Sequence, residues 1–192
     1  MPAQPSMRDK ILASAEKRVR GAGFAAMSFR DIANDIGIKS ASVHYHFPAK
    51  VDLGEALIDE YTKRFEGRLA AISLDELQPA IDAFVALYRE ALVLDESVCL
   101  CAIMGAEAIG LPKSINQRTK AFFQMNLLWL EALFKRHLRT PEPELAAMVV
   151  AALEGAIIVS SASQERHIFE QVVQAVLRTI VSMADADRRP SK

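Results

Sequence analysis

The chain contains 192 residues, of which 51% are hydrophobic and 24% are charged. This composition is too apolar for a disordered chain and too evenly charged for a membrane protein, and two cysteines are too few for a disulfide framework. The net charge of −1 conceals an asymmetry, because residues 1–50 carry eight Lys or Arg against four Asp or Glu. A basic N-terminal quarter on an acidic body predicts a polyanion-binding segment.

Apolar residues recur at spacings of three and four along almost the whole chain, which predicts an all-α fold of about nine helices. Gly and Pro residues mark the ends of most of these segments. The predicted helices cover about residues 5–22, 28–36, 40–47, 50–71, 81–92, 98–109, 113–139, 144–161 and 164–184.

The second and third predicted helices are short and are joined by a tight turn at Gly37, which is the helix-turn-helix pattern. At about 100° per residue, Val43 and Phe47 fall on one face of the third helix and point inward. Ala41 and Tyr45 then lie on the opposite face, flanked by Ser42 and His44. Small and hydrogen-bonding side chains on an exposed helix face are suited to a DNA groove.

Residues around this turn resemble the TetR family of transcriptional regulators. The motif residues are Gly23-Phe24, residues 28–33 and residues 37–50, the last of which end in Tyr-His-Phe-Pro-Ala-Lys. The resemblance implies DNA-backbone contacts by Ser28, Lys39, Tyr45, His46 and Lys50, and base contacts by Ser40, Ala41, Ser42 and His44. It also implies a three-helix DNA-binding domain at residues 1–55 and an effector-binding and dimerisation domain at residues 56–192.

The family resemblance implies that the middle helices enclose a cavity for an effector. Their apolar lining predicts a small hydrophobic molecule, although sequence alone does not separate a cavity wall from a filled core. The candidate pocket residues are Phe84, Leu87, Tyr88, Met104, Phe122, Met125 and Trp129. The implied function is a repressor that leaves a palindromic operator when the effector shifts its conformational equilibrium.

The last two predicted helices are the candidates for a homodimer surface, since a helix-turn-helix protein usually pairs to read two half-sites. Small residues there allow close helix approach, and larger ones supply apolar area. The candidate interface residues are Ala151, Gly155, Phe169, Val172, Val173, Val176 and Ile180. The alternative is that both helices belong to the core of a single chain.

Cys99 and Cys101 are candidate sensor thiols for an oxidant or an electrophile, or simply small buried side chains. Two positions apart on a helix they point to different faces, which disfavours a disulfide between them. The sequence offers no convincing metal site and predicts no cofactor. A helical thiol enzyme or a protein-binding scaffold is the competing class of function, but no base accompanies either cysteine in the sequence.

The predicted location is the cytoplasm, because cysteines are few and the N-terminus lacks the apolar run of a signal peptide. The most apolar stretch, residues 145–162, carries Glu154 near its middle. A charge at this position favours a buried or interfacial helix over a membrane span. The sequence therefore predicts no membrane partner.

Overall fold

A computed structural model describes residues 4–94, 98–139 and 143–188. Within these ranges the fold consists of nine α-helices and one short 3₁₀ helix, without strands, which confirms the all-α prediction. The α-helices are α1 (Met7–Ala22), α2 (Phe29–Ile36), α3 (Ser40–His46), α4 (Lys50–Ala70), α5 (Leu77–Leu94), α6 (Leu100–Ala106), α7 (Lys113–His137), α8 (Pro143–Ser163) and α9 (His167–Arg188). The 3₁₀ helix is Ala108–Gly110.

Local side-chain chemistry explains where the first helices begin and end. Ser6 and Asp9 form a reciprocal capping box at the start of α1. The Ser28 hydroxyl accepts a hydrogen bond from the Asp31 backbone N–H at 3.2 Å and caps α2. Gly37, at φ 71°, ends α2 in the left-handed conformation that glycine adopts without a steric penalty.

Two differences from the predicted boundaries have local causes. The segment predicted as one helix at residues 98–109 is α6 followed by the 3₁₀ helix, with Glu107 between them. Gln164 has a φ of 60°, so it ends the preceding helix, and α9 begins at His167 rather than at 164. The predicted break at residues 140–143 lies mostly outside the described residues, and α8 begins at Pro143, a favoured first helical position.

The first compact unit comprises the described part of Met1–Arg64 together with Leu100–Ala121. Its core is formed by buried aliphatic and aromatic side chains from α1 to α4, α6 and the start of α7. The most deeply buried include Ile11, Val19, Ile32, Val43, Leu53, Ile58, Leu100 and Ile115. This unit differs from the predicted domain at residues 1–55, because α6 packs against α1 and brings a later part of the chain with it.

The second compact unit comprises Phe65–Cys99 and the described part of Phe122–Lys192. In this unit α8 packs against α5 and α9. Aromatic rings fill much of its core, where Phe65 meets Phe122 and Tyr88 edge-on at 5.1 and 5.8 Å between centroids. The buried Tyr88 hydroxyl donates to the side-chain oxygen of Asn126 at 3.2 Å, and the Asn126 amide donates to the Phe122 carbonyl at 2.8 Å. The side chains of Tyr88 and Asn126 are thus hydrogen-bonded within this core.

The helix α8 is the one described helix that is long and apolar enough to cross a membrane by length and composition alone. Half of its most apolar window is buried within the structure. A core helix that packs against neighbouring helices has the same composition, and α8 packs against two.

The close approach of α4 to its neighbours requires glycine at residue 54. A Cβ atom there would lie 2.6 Å from Cε2 of Phe24 and 2.8 Å from Cδ1 of Ile115, well inside contact distance. We expect Gly54→Ala to lower the free energy of unfolding by about 1–3 kcal/mol, measured by urea denaturation.

The matched control is Gly67→Ala on the same helix, where no atom lies within 4 Å of the new Cβ. Since alanine is the better helix former, this variant should gain about 0.5–1 kcal/mol. Equal effects of the two substitutions would contradict the steric explanation.

Candidate nucleic-acid interface

The third helix, α3, has one buried face and one exposed face, as the helical wheel predicts. Val43 and Phe47 are buried, which confirms the predicted inner face. On the other side Tyr45 is 85% exposed, the largest exposure of any aromatic residue in the described chain. Ala41, Ser42 and His44 are also exposed, whereas Ser40 and His46 are half-buried.

Ring contacts orient the exposed side chains of α3. The His44 ring meets the buried Phe29 ring of α2 edge-on at 4.6 Å between centroids. The Tyr45 ring meets the His46 ring in the same way at 5.3 Å. These contacts hold the imidazole and phenol groups at defined angles on the outer face of α3.

An ion pair fixes α2 against α1 beneath this face. The Arg18 guanidinium donates to both carboxylate oxygens of Asp35 at 2.6 Å, and the Ser14 hydroxyl donates to the same carboxylate at 2.8 Å. The Arg18 guanidinium, and next the Ser14 hydroxyl, lower the pKa of Asp35 to about 2. The carboxylate therefore stays charged at any physiological pH.

The two predicted backbone-binding lysines lie in different surroundings. Lys39 is exposed at the N-terminal end of α3. Lys50 is half-buried: its ammonium donates to the Ala25 carbonyl at 2.9 Å and lies 4.9 Å from the centroid of the Phe24 ring. Burial lowers the pKa of Lys50, and the nearby Glu107 carboxylate acts in the opposite direction. In this structure the Lys50 ammonium is bound to the turn between α1 and α2.

Glu107 is the functional residue that sequence reasoning missed. One of its carboxylate oxygens accepts the Phe24 backbone N–H at 3.0 Å and the other accepts the Ala25 N–H at 3.1 Å. It lies 82 residues beyond Ala25 in sequence, and no motif marks it. The turn that precedes the helix-turn-helix is thus held from both sides, by Glu107 at its amides and by Lys50 at its carbonyl.

The segment that forms this helix-turn-helix also matches a known family model. The model described as "Bacterial regulatory proteins, tetR family" covers residues 11–57, from the first buried residue of α1 into α4. A TetR transcriptional regulator from Legionella pneumophila has the same fold, with a TM-score of 0.84 and 28% identity over 93% of this chain and 99% of that one. The chain is thus similar to TetR-family regulators, in its N-terminal segment and in its fold.

Two curated relatives extend the similarity beyond the DNA-binding segment. The transcriptional regulator CymR of Pseudomonas putida is 24% identical over 88% of this chain and 86% of its own length. The nucleoid occlusion factor SlmA of Aliivibrio fischeri is 28% identical over 80% of this chain and 83% of its own length. The chain is therefore similar in fold to DNA-binding transcriptional regulators, and the α2–α3 pair lies within the segment that matches the TetR-family model.

The candidate effector residues fall in both compact units. Met104 belongs to the first unit, and the other six belong to the second. In the second unit the Phe84 ring stacks on Trp129 at 5.1 Å with an interplanar angle of 14°, and Tyr88 lies 5.3 Å from Phe84. Leu87 and Phe122 are buried, and Met125 is half-buried. The structure thus brings three aromatic candidates into one cluster.

Most of the candidate dimer residues on α9 are covered by their own chain. Phe169, Val173, Val176 and Ile180 are between 1% and 4% exposed, and Val172 is half-buried. Side chains already buried in one protomer offer almost no area to a second one. Of the candidates on α8, Ala151 is exposed, and Gly155 is half-buried with no atom within 4 Å of an added Cβ.

Both candidate sensor thiols are buried, with Cys99 3% and Cys101 0% exposed. This burial is what the alternative interpretation, small core side chains, requires. Among the described residues, no group of three or more His, Cys, Asp or Glu is placed to hold a metal ion.

Loss of the Glu107 carboxylate should loosen the turn ahead of the helix-turn-helix. We expect Glu107→Gln to lower the free energy of unfolding by about 1–3 kcal/mol, because an amide accepts one backbone N–H and presents its own N–H₂ to the other. Urea denaturation measures the loss. Glu66→Gln, an exposed position on α4, is the control and should change stability by less than about 0.5 kcal/mol. Equal stabilities for both variants would contradict the role of Glu107.

Proposed function

We propose that this protein is a homodimeric repressor that binds a palindromic operator through α3 and is released by a small effector with a large apolar part. The observation that carries the proposal is the outer face of α3. It presents a phenol, an imidazole and a hydroxyl group on a backbone whose Ala41 leaves room for a groove. Occupancy of an operator by such a dimer excludes other proteins from the same DNA, which favours repression.

The contacts to DNA divide by position. Lys39 and Ser40 lie at the N-terminal end of α3, where free backbone N–H groups favour phosphate. Ser42 and His44 are placed to reach base edges, and Tyr45 is placed to reach the backbone. Ser28 and Lys50 already have partners inside the protein, so we assign them a supporting part: they hold the turn and α2 in position for DNA.

The homodimer surface that we propose lies mainly on α8. Ala151, Gly155, Ile158 and Val159 recur at spacings of four, three and one, and form one exposed, mostly apolar stripe. Ile158 is 44% and Val159 50% exposed, and Val181 of α9 adds a further exposed apolar side chain at 42%. The small residues allow close approach of a second copy of α8, and the larger ones supply the area that drives association.

The effector acts, in this proposal, through a shift between two arrangements of the paired helix-turn-helix segments. We place the effector against the aromatic cluster of Phe84, Tyr88 and Trp129, which it reaches through an opening motion because Phe84 and Tyr88 are buried. A ligand that binds more tightly to the arrangement with mismatched half-site spacing lowers the affinity for DNA. The decrease is at most the ratio of the ligand's affinities for the two arrangements. The alternative trigger, a thiol reaction, requires an opening motion because both cysteines are buried.

The similarity to the nucleoid occlusion factor SlmA favours a second candidate function, which is nucleoid occlusion through the same helix-turn-helix. Both functions need DNA binding. A genome-wide map of bound DNA separates them, because a promoter-specific repressor occupies few sites and these lie upstream of genes.

Removal of the Tyr45 or Lys39 side chain should weaken DNA binding. The test uses a duplex that the protein itself selects from a random library, with affinity measured by fluorescence anisotropy at several salt concentrations. We expect Tyr45→Ala to lose affinity by about tenfold, and Lys39→Ala to reduce the salt slope of log K by about one, since one phosphate contact is lost. Lys63→Ala, an exposed lysine on α4, is the control. Unchanged affinity for Tyr45→Ala and an unchanged slope for Lys39→Ala would contradict the assignment.

A charge at the centre of the proposed dimer stripe should separate the protomers. We expect Ile158→Glu to raise the dimer dissociation constant by at least about 100-fold, because a buried, unpaired carboxylate opposes association. Sedimentation velocity measures the change, with Gln124→Glu at an exposed position of α7 as the control. A dimer of unchanged strength in the Ile158 variant would place the interface elsewhere.

A further inference from the structure

The carboxyl group of Glu154 on α8 is buried, and among the described residues its neighbouring polar group is the Cys99 thiol, a weak donor. The residue is 8% exposed, and neither carboxyl oxygen accepts a hydrogen bond from an N–H or O–H group in the described residues. Val150 and Ile157, about one turn before and after it on α8, are buried and apolar. A carboxyl group removed from water in such surroundings is costly unless something pairs with it.

The pKa of Glu154 reflects the burial of its carboxyl group among apolar residues. Burial raises the pKa of Glu154 from its ordinary value of 4.5 to about 7. The Cys99 thiol beside it, a weak hydrogen-bond donor, lowers the pKa only in part. These are the two influences on its pKa, and neither is a charged side chain. Near neutral pH the carboxyl therefore exists in both forms, with no counter-charge from the described residues.

Other polar groups in the same compact unit show that partners are normally supplied. Tyr88 and Asn126 are buried there, and both are hydrogen-bonded within the core. The Ser160 hydroxyl also lacks a partner, but it is neutral and lies six residues further along α8. Of the two described buried side chains in this unit that lack a hydrogen-bond partner, Glu154 is the one that can carry a charge. A buried carboxyl group without an N–H or O–H donor points to a partner from outside the chain.

We propose that Glu154 is the polar anchor of the effector site and binds the cationic group of an otherwise apolar effector, such as a protonated amine. The inference rests on the proposed function and narrows its effector to an amphipathic cation. A cation supplies both the missing counter-charge and hydrogen-bond donors to the carboxylate oxygens. An anion is repelled there, and a neutral hydroxyl supplies the hydrogen bond without the charge.

The test compares three probes with one apolar chain, namely decylamine, decanol and decanoate. Isothermal titration calorimetry at pH 8 measures their binding to the full-length protein. We expect decylamine to bind at least about tenfold more tightly than decanol, and decanoate to bind least tightly. Glu154→Gln should lose this preference for the amine while it keeps its affinity for decanol. Glu144→Gln, an exposed glutamate on the same helix, is the matched control and should retain the preference.

Equal affinities of the wild-type protein for decylamine and decanol would overturn the proposal, and this comparison does not depend on a variant that folds. Unchanged amine affinity in Glu154→Gln would overturn it too, as would the failure of decylamine to bind. DNA affinity of the ligand-free protein is measured in parallel. If the protein binds DNA normally but shows no preference for the amine, this inference alone is wrong. If it binds the amine but binds no duplex, the proposed function is wrong.

Thermal stability gives an independent readout of the same carboxyl. Because folding raises the pKa of Glu154 above its unfolded value, the stability contributed by the protonated carboxyl is present below pH 4.5 and is lost as the pH rises through 7. Gln is neutral throughout this range. The melting temperature of Glu154→Gln should therefore rise relative to wild type between pH 5 and pH 8, and saturating decylamine should remove that difference. A difference that is independent of pH would show that Glu154 is paired within the protein.

Discussion

The geometry of the DNA-binding surface depends on how one short turn is held. Glu107, on a segment remote in sequence, accepts hydrogen bonds from the backbone N–H groups of Phe24 and Ala25, and the Lys50 ammonium donates to the Ala25 carbonyl. This turn joins α1 to α2, and α2 in turn positions α3 through the contact of Phe29 with His44. An acidic side chain just after α6 thus anchors the turn that leads into the helix-turn-helix.

The packing of α6 against α1 explains why the first compact unit differs from the predicted domain at residues 1–55. A domain drawn along the sequence ends where the helix-turn-helix motif ends, near residue 55. In the structure, α6 and the first turns of α7 close the core over α1 and α4, and Ile115 meets the glycine at residue 54. The DNA-binding segment is thus completed by residues that a linear division assigns to the effector domain. A movement of α6 would act on the turn directly, which gives the proposed release of DNA a short physical path.

Sequence reasoning succeeded where the information is local. Helix periodicity, the Ser28 cap, the Gly37 stop and the inward side of Val43 all depend on residues within one or two turns of each other. It failed where distant segments meet. No spacing rule connects Glu107 with Ala25, and the apolar period of α9 does not say whether Phe169 faces its own chain or another. The sequence shows that Glu154 is an ionisable residue in an apolar helix. That no N–H or O–H group among the described residues donates to it is apparent only from the folded core.

Gly23 shows that steric and backbone constraints restrict the residue types that fit at this turn. Its φ of 85° suits glycine, and a Cβ atom would lie 2.2 Å from a carboxylate oxygen of Glu107. Any side chain at residue 23 therefore collides with the very group that anchors the next two amides, while a shorter acid at residue 107 gives up the anchor. The side chains tolerated at residues 23 and 107 therefore depend on each other, because both positions determine where this carboxylate lies.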